Sequence, residues 1–322
     1  MNDLPPQNIL VTGGAGFIGS HLVERLLNEQ NRVTVIDDCS TGSMANLRGV
    51  ASHPRLSVFQ EKISQCSKLP ELVAESDFIF HLAAAVGVEL VVHSPIRTME
   101  TNLNETEVIL RAAGAHGVPF LFTSTSEVYG KSQKSAFGEE DDLIIGPPHL
   151  GRWSYACSKL VEEFLALAYA KEKNLKTIVV RLFNTVGPRQ TGQYGMVLPR
   201  FIEAAKAGRP INVYGTGQQT RCFCYVSDAV EALMRLRRCP EAIGQIFNVG
   251  GTEETSIMAL AELVIRTLGS ASTIERIPYE QAYASGFEDM LRRRPLVDKL
   301  ERTVGFRPRL PLAEIIQRTA KG

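Results

Sequence analysis

No window of the sequence offers the roughly 18 uncharged apolar residues of a membrane-spanning helix. The opening run "MNDLPPQNILVTGG" has no basic region followed by an apolar stretch of signal length. A cytoplasmic chain with no membrane partner is therefore expected. An excess of one charge is also missing: Lys plus Arg and Asp plus Glu both number 35. Neither sign forms a long block, so there is no electrostatic footprint for nucleic acid. Cysteine is sparse and scattered, at Cys39, Cys66, Cys157, Cys222, Cys224 and Cys239. Only Cys222 and Cys224 are close, and no His lies near them in sequence to complete a zinc set. They read as reduced, packed thiols, and no metal site is expected. Internal repeats and low-complexity linkers are absent too. A small-molecule partner is what remains.

What is present in quantity is alternation. Short apolar runs rich in β-branched residues, "NILVTG" (8–13), "RVTVID" (32–37), "LSVFQ" (56–60), "FIFHLA" (78–83), "FLFTST" (120–125) and "TIVVRLFN" (177–184), recur between helical patterns. Such a rhythm predicts an α/β fold with a parallel sheet covered by helices on both faces. After residue 186 the pattern changes, with "VLPRFIEAAKAGRP", "INVYG", "QIFNVGG" and a basic turn before a final helix. The expected division is residues 1–185, with the sheet completed by about 244–270, against a smaller substrate lobe of 186–243 and 271–322.

The stretch "ILVTGGAGFIGSHLVERLL" sets glycines between the first strand and a helix. Gly14, Gly16 and Gly19 satisfy the dinucleotide fingerprint, and Gly13, Gly16 and Gly19 give a three-spaced variant. A tight turn there brings bare backbone N–H groups and a helix N-terminus against a pyrophosphate. The next strand ends in "VIDD", which puts Asp37 about 20 residues on, where a carboxylate binds the adenosine ribose hydroxyls. That carboxylate repels a 2′-phosphate and no Arg follows it directly. NAD is therefore expected over NADP.

Farther on, "GRWSYACSKLVEEF" (151–164) sets Tyr155 and Lys159 four apart at a helix start, on one face. A cation beside the phenol is expected to lower its pKa from about 10 and make Tyr155 a general base. Thr125, at the end of the fifth strand in "FTSTSEVYG", offers a hydroxyl to the same substrate oxygen.

Taken in order, "TGGAGFIG", "HLAA" (81–84), "TSTSEVYG", the Tyr155/Lys159 pair, "RLFNTVGPR" and "YGTGQQTRCFCYVSD" resemble the extended short-chain dehydrogenases/reductases that modify nucleotide sugars. The similarity covers nearly the whole chain. It implies a Rossmann-type doubly wound sheet, bound NAD, a UDP-sugar substrate and a homodimer formed through two helices around 97–115 and 153–172. It also implies a Thr125, Tyr155 and Lys159 triad, with Lys159 also on the nicotinamide ribose. Gly13, Gly16, Phe17, Ile18, Gly19, Asp37, Leu82 and Ala83 would line the cofactor. Asn102 would support the site, Ser126 and Asn184 would touch the sugar nucleotide, and Arg221 would grip its diphosphate with a guanidinium fork. Lys62, in "FQEKIS", stands where many relatives have an aspartate facing adenine, which leaves adenine contacts there open.

Two reactions fit a 4-keto intermediate: decarboxylation of UDP-glucuronate to UDP-xylose or a related product, and 4-epimerisation of a UDP-sugar. Three features lean toward decarboxylation. Glu127 is similar to the acid of UDP-glucuronate decarboxylases, "RWSY" supplies Arg152, and in "MLRRRPLVDKL" Arg293 matches the arginine placed at the glycosyl carboxylate. Against it, the loop "AVGVELVVHSP" lacks the aromatic residue those enzymes carry. Ser126 stands where dehydratases have Asp, which disfavours dehydration. A non-catalytic NAD-binding protein is the third reading, and the presence of both Tyr155 and Lys159 weighs against it.

Overall fold

The computed structural model describes residues 5–87, 94–192, 196–278 and 290–321. Residues 88–93, the middle of the loop after "HLAA", lie outside them. In chain order the strands are β1 (Asn8–Thr12), β2 (Arg32–Ile36), β3 (Leu56–Phe59), β4 (Phe78–His81), β5 (Phe120–Thr125), β6 (Thr177–Leu182), β7 (Thr185–Val186), β8 (Ile211–Tyr214), β9 (Thr220–Cys222), β10 (Cys224–Tyr225), β11 (Ile246–Val249), β12 (Glu254–Ser256) and β13 (Ile274–Ile277). The α-helices are α1 (Phe17–Asn28), α2 (Leu69–Ala74), α3 (Pro95–His116), α4 (Ser154–Lys173), α5 (Val197–Lys206), α6 (Val226–Arg237), α7 (Ile257–Leu268), α8 (Asp298–Val304) and α9 (Leu312–Lys321).

Seven strands form one sheet in the order β11-β6-β5-β4-β1-β2-β3, and every pairing in it is parallel. Parallel strands need crossovers that cover both faces, which explains why β1, β4 and β5 are apolar on both sides. Leu22, Val23, Leu26 and Leu27 of α1 pack with Val230, Leu233 and Leu236 of α6 on one face. Ile109, Leu110 and Ala113 of α3 pack with Ala166 of α4 on the other. The strand order reverses beside β1, so the carboxyl ends of β1 and β4 open a crevice suited to a dinucleotide.

A third core joins Leu198 and Phe201 of α5, Ile211 and Val213 of β8, Leu260 and Val264 of α7, and Ile315 and Ile316 of α9. The packing redraws the expected division in two places. Helix α6, which the sequence pattern places with the lobe, buries its apolar face on the sheet, whereas α7, expected with the sheet, packs in the lobe. Both helices are amphipathic, and periodicity alone does not say which neighbour covers the apolar stripe.

Candidate active site

The glycine turn after β1 has no room for side chains. Gly13 sits at φ +74, and a Cβ on it would lie 2.6 Å from the Ala83 nitrogen; one on Gly19 would lie 2.0 Å from the Gly13 carbonyl oxygen. Gly14 serves a different purpose, since its Cβ would meet the Val35 side chain at 2.7 Å. The set that shapes the turn is thus Gly13, Gly16 and Gly19. Gly16 caps α1 without a side-chain hydrogen bond, leaving first-turn N–H groups facing the cleft for an anion. Asp37, at the end of β2, accepts hydrogen bonds from the Ala15 and Cys39 nitrogens, each at 2.8 Å. Burial raises its pKa, and these backbone bonds oppose the rise. The bare-backbone cradle beside an oriented carboxylate fits NAD.

One cleft of about 610 Å³ runs from this turn to the lobe, and all the site residues named from sequence line it except Gly14. Thr125 ends β5, Tyr155 and Lys159 occupy the first turns of α4, Asn184 follows β6, Arg221 lies on β9, and Arg293 comes from the segment before α8. Elements far apart in sequence therefore converge at the carboxyl end of the sheet. Asn102 is buried and bonds the Ala85 nitrogen at 2.7 Å and Ser158 Oγ at 3.2 Å, tying α3 to α4 beneath the cleft.

Glu127 sits between two guanidinium groups. Arg152 Nη1 is 2.5 Å from one carboxylate oxygen and Arg293 Nη1 is 3.0 Å from the other. Arg293 also donates to Asn184 Oδ1, while Asn184 Nδ2 donates to the Cys222 carbonyl at 2.9 Å. That double tether holds Asn184 at φ +22, a sparsely populated backbone setting that persists only where surrounding contacts impose it. Arg292 instead pairs with Glu254 at 2.8 Å, so of the three arginines in the run it is Arg293 that reaches Glu127. Trp153 is buried with Tyr129, Phe137 and Phe183 and acts as packing.

Burial alone would raise the Glu127 carboxyl, but Arg152 and Arg293 override it and hold the pKa at about 2. The group therefore stabilises the fold at every pH above its ordinary value of 4.5, and that contribution disappears as pH falls toward 2. In acid-unfolding curves, the gap between wild type and Glu127→Gln is expected to be constant above pH 4.5 and to close below it.

Tyr155 departs from expectation. Burial pushes its hydroxyl well above the ordinary value, and Glu127 and Glu162 push the same way, opposed by a Thr125 hydrogen bond and the Arg293 charge. Lys159 is instead engaged by Glu162, Nζ to Oε2 at 3.0 Å, and lies over the Phe122 ring. Glu162, with Thr106 and His81 behind it, was not singled out from sequence. The spacing rule that paired Tyr155 with Lys159 also pairs Lys159 with the glutamates three and four residues on.

The family model described as NAD dependent epimerase/dehydratase family matches residues 9–250. The chain is 40% identical over 311 residues to a UDP-N-acetyl-alpha-D-glucosaminuronate decarboxylase of Bacillus cytotoxicus, covering 96% of this chain and 95% of that one. Among solved structures it is similar to a UDP-N-acetylglucosamine 4-epimerase from Methanobrevibacter ruminantium in complex with UDP-N-acetylmuramic acid, with a TM-score of 0.89, 28% identity, and 99% and 98% of the two chains covered. It is also similar to a UDP-glucuronic acid 4-epimerase from Bacillus cereus in complex with UDP-glucuronic acid and NAD, with a TM-score of 0.87, 27% identity and 98% of each chain covered.

Proposed function

The chain belongs to the NAD dependent epimerase/dehydratase family, and from this premise we propose that it decarboxylates a UDP-hexuronate, UDP-glucuronate or its 2-acetamido counterpart, through a 4-ketone. The observation that carries the reading is the convergence of Arg152 and Arg293 on one carboxylate, Glu127, beside the hydrogen-bonded Tyr155 and Thr125 hydroxyls. Two guanidinium groups beside two hydroxyls suit a sugar whose carboxylate sits one carbon from the reacting C4, with Arg293 exchanging Glu127 for the substrate's carboxylate.

Gly13, Gly16, Phe17, Ile18, Gly19, Asp37, Leu82 and Ala83 would hold NAD, with Lys159 at the nicotinamide ribose. Bound there, NAD would supply reversible hydride transfer at C4, which would leave the cycle without net redox change. Tyr155 takes the proton from the C4 hydroxyl and Thr125 orients that oxygen. Arg293 would turn from Glu127 to the C5 carboxylate of the sugar, leaving Glu127 paired with Arg152. With C4 a ketone, the C5–C6 electron pair flows toward the carbonyl as carbon dioxide leaves, Tyr155 and Thr125 stabilise the oxyanion that forms, and a proton from water then replaces the carboxylate at C5 and restores the ketone. Ser126 and Asn184 contact the sugar. Arg221, anchored by the Thr220 and Met290 carbonyls at 2.8 Å each, faces the diphosphate.

The test incubates the protein with NAD and, separately, UDP-glucuronate, UDP-N-acetylglucosaminuronate and UDP-N-acetylglucosamine, following product mass and C4 stereochemistry. Carbon dioxide loss from a hexuronate is expected, and its rate relative between the two hexuronates assigns the C2 substituent. Arg293→Ala should lower kcat/KM by about 10²-fold or more, the cost of removing one partner of a buried charge pair. A product of unchanged mass and inverted C4 makes the protein an epimerase.

A homodimer through α3 and α4 is part of the same reading. Val161 and Phe164, three apart on α4 and so on one face, are 45% and 69% exposed, which is unusual for such side chains unless a partner covers them. Light scattering should give twice the chain mass for wild type and the single mass for Phe164→Asp, with unchanged circular dichroism. No helix among the described residues is long and apolar enough to cross a membrane. The six free thiols suit a reducing cytoplasmic setting.

A further inference from the structure

Behind Lys159 runs a buried chain of hydrogen bonds that the reaction as described leaves unused. Lys159 Nζ and Thr106 Oγ1 both donate to Glu162 Oε2, at 3.0 and 2.7 Å. Thr106 Oγ1 lies 2.9 Å from His81 Nε2, and His81 Nδ1 lies 2.6 Å from Thr12 Oγ1. Thr12, His81, Thr106, Lys159 and Glu162 are all buried. The second Glu162 oxygen, Oε1, is buried without a hydrogen bond among the described residues.

The direction of the chain follows from donor counting. Thr106 has one proton and gives it to Glu162, so it must accept from His81 Nε2–H. Burial and the nearby Lys159 charge hold His81 well below its ordinary pKa, and a neutral ring protonated at Nε2 accepts at Nδ1 from the Thr12 hydroxyl. Every donor thus points toward Glu162, which is the arrangement that stabilises a carboxylate. Burial pushes the Glu162 pKa up, and Lys159 and Thr106 oppose the rise.

We propose that Glu162 is a positioning residue: it anchors Lys159 and, by the charge it places beside Lys159 and Tyr155, sets the pH at which Tyr155 gives up its proton, while Thr12, His81 and Thr106 hold its carboxylate in register. Thr12 immediately precedes the glycine turn, so one hydrogen-bond chain joins the cofactor cradle to the catalytic lysine. The inference rests on Tyr155 being the base of the reaction proposed above. Among the described residues, the charges of Glu127, Glu162 and Arg293 act on Tyr155, and those of Lys159 and Glu163 act on Glu162.

Removing the Glu162 charge relieves repulsion of the phenolate, so the Tyr155 pKa falls. It also strips Lys159 of its counter-ion. The test needs no sugar substrate and so stands apart from the decarboxylase assignment. In NAD-saturated protein, the near-ultraviolet phenolate band of Tyr155 is isolated by subtracting a Tyr155→Phe counterpart, in wild type and in Glu162→Gln. The Gln variant should show the band about 1 pH unit or more below wild type, and Glu162→Asp should titrate with wild type. No difference between Gln variant and wild type over the accessible pH range overturns the proposal. If Glu162→Gln does not fold, wild type carries the test through the ¹⁵N shifts of its histidines. His81 should be the Nε2–H tautomer and should not titrate across about pH 5 to 8; an Nδ1–H tautomer or a titrating ring overturns it.

Discussion

Tyr155→Phe is expected to lower kcat by about 10²- to 10⁴-fold, the range that positioned proton transfer contributes, while NAD affinity stays close to wild type. The side chain is buried and its ring is retained in Phe, so packing changes little. What is lost is the proton acceptor at the C4 hydroxyl and the hydrogen bond with Thr125. Equilibrium dialysis with NAD and single-turnover release of carbon dioxide separate the two effects. An unchanged turnover would remove Tyr155 from the chemistry. Because burial and two carboxylates hold Tyr155 in its neutral form, the wild-type rate is expected to climb with pH on the acid side of its profile. The Phe variant should lose that dependence.

The second large effect is on stability. Glu163, next to Glu162 and one turn beyond Lys159, pairs with Arg181 on β6, Oε2 to Nη2 at 2.8 Å, with both side chains 3% exposed. Ser124, adjacent to Thr125, donates to the same carboxylate. Arg181 continues to Tyr129 OH at 3.0 Å, and Tyr129 to Asn248 Oδ1 at 2.8 Å. Asn248 Nδ2 then donates to the Phe137 carbonyl at 2.9 Å, and Phe137 exchanges backbone hydrogen bonds with Arg294 and Leu296, at 2.8 Å each. One buried network thus ties the helix of Tyr155 and Lys159 to the segment that carries Arg293.

Glu163→Ala leaves the Arg181 charge buried without its counter-ion, and a loss of about 3–5 kcal/mol is expected, read as a lower urea midpoint at unchanged slope. The double variant Glu163→Leu/Arg181→Met should recover much of that loss, because neither partner is then stranded. Equal losses in single and double variants would mean that packing, not charge, is what Glu163 provides.

The glycine turn, Asp37 and the Tyr155/Lys159 pair were legible because each depends on local spacing: a turn, a strand end, one face of a helix. The sheet was legible for a similar reason, since parallel strands buried on both faces leave continuous apolar runs such as "FIFH" and "FLFT". Which protein groups crowd each glycine was decided by the fold, as Gly14 turns toward Val35 and Gly13 toward Ala83. The same holds for α6 and α7, whose apolar stripes are similar but cover different cores.

The sequence by itself determined that this chain is an NAD-binding α/β protein with Tyr155 and Lys159 four apart at one helix start, because those features are written in periodicity and short-range spacing. Only the tertiary structure decided what surrounds them. Glu127 meets Arg293 from 166 residues away, and His81 reaches Glu162 through Thr106 on a different helix. Burial and charge act through space, so the ionisation of Glu127, Tyr155 and Glu162 belongs to the folded assembly of strand ends and helix starts.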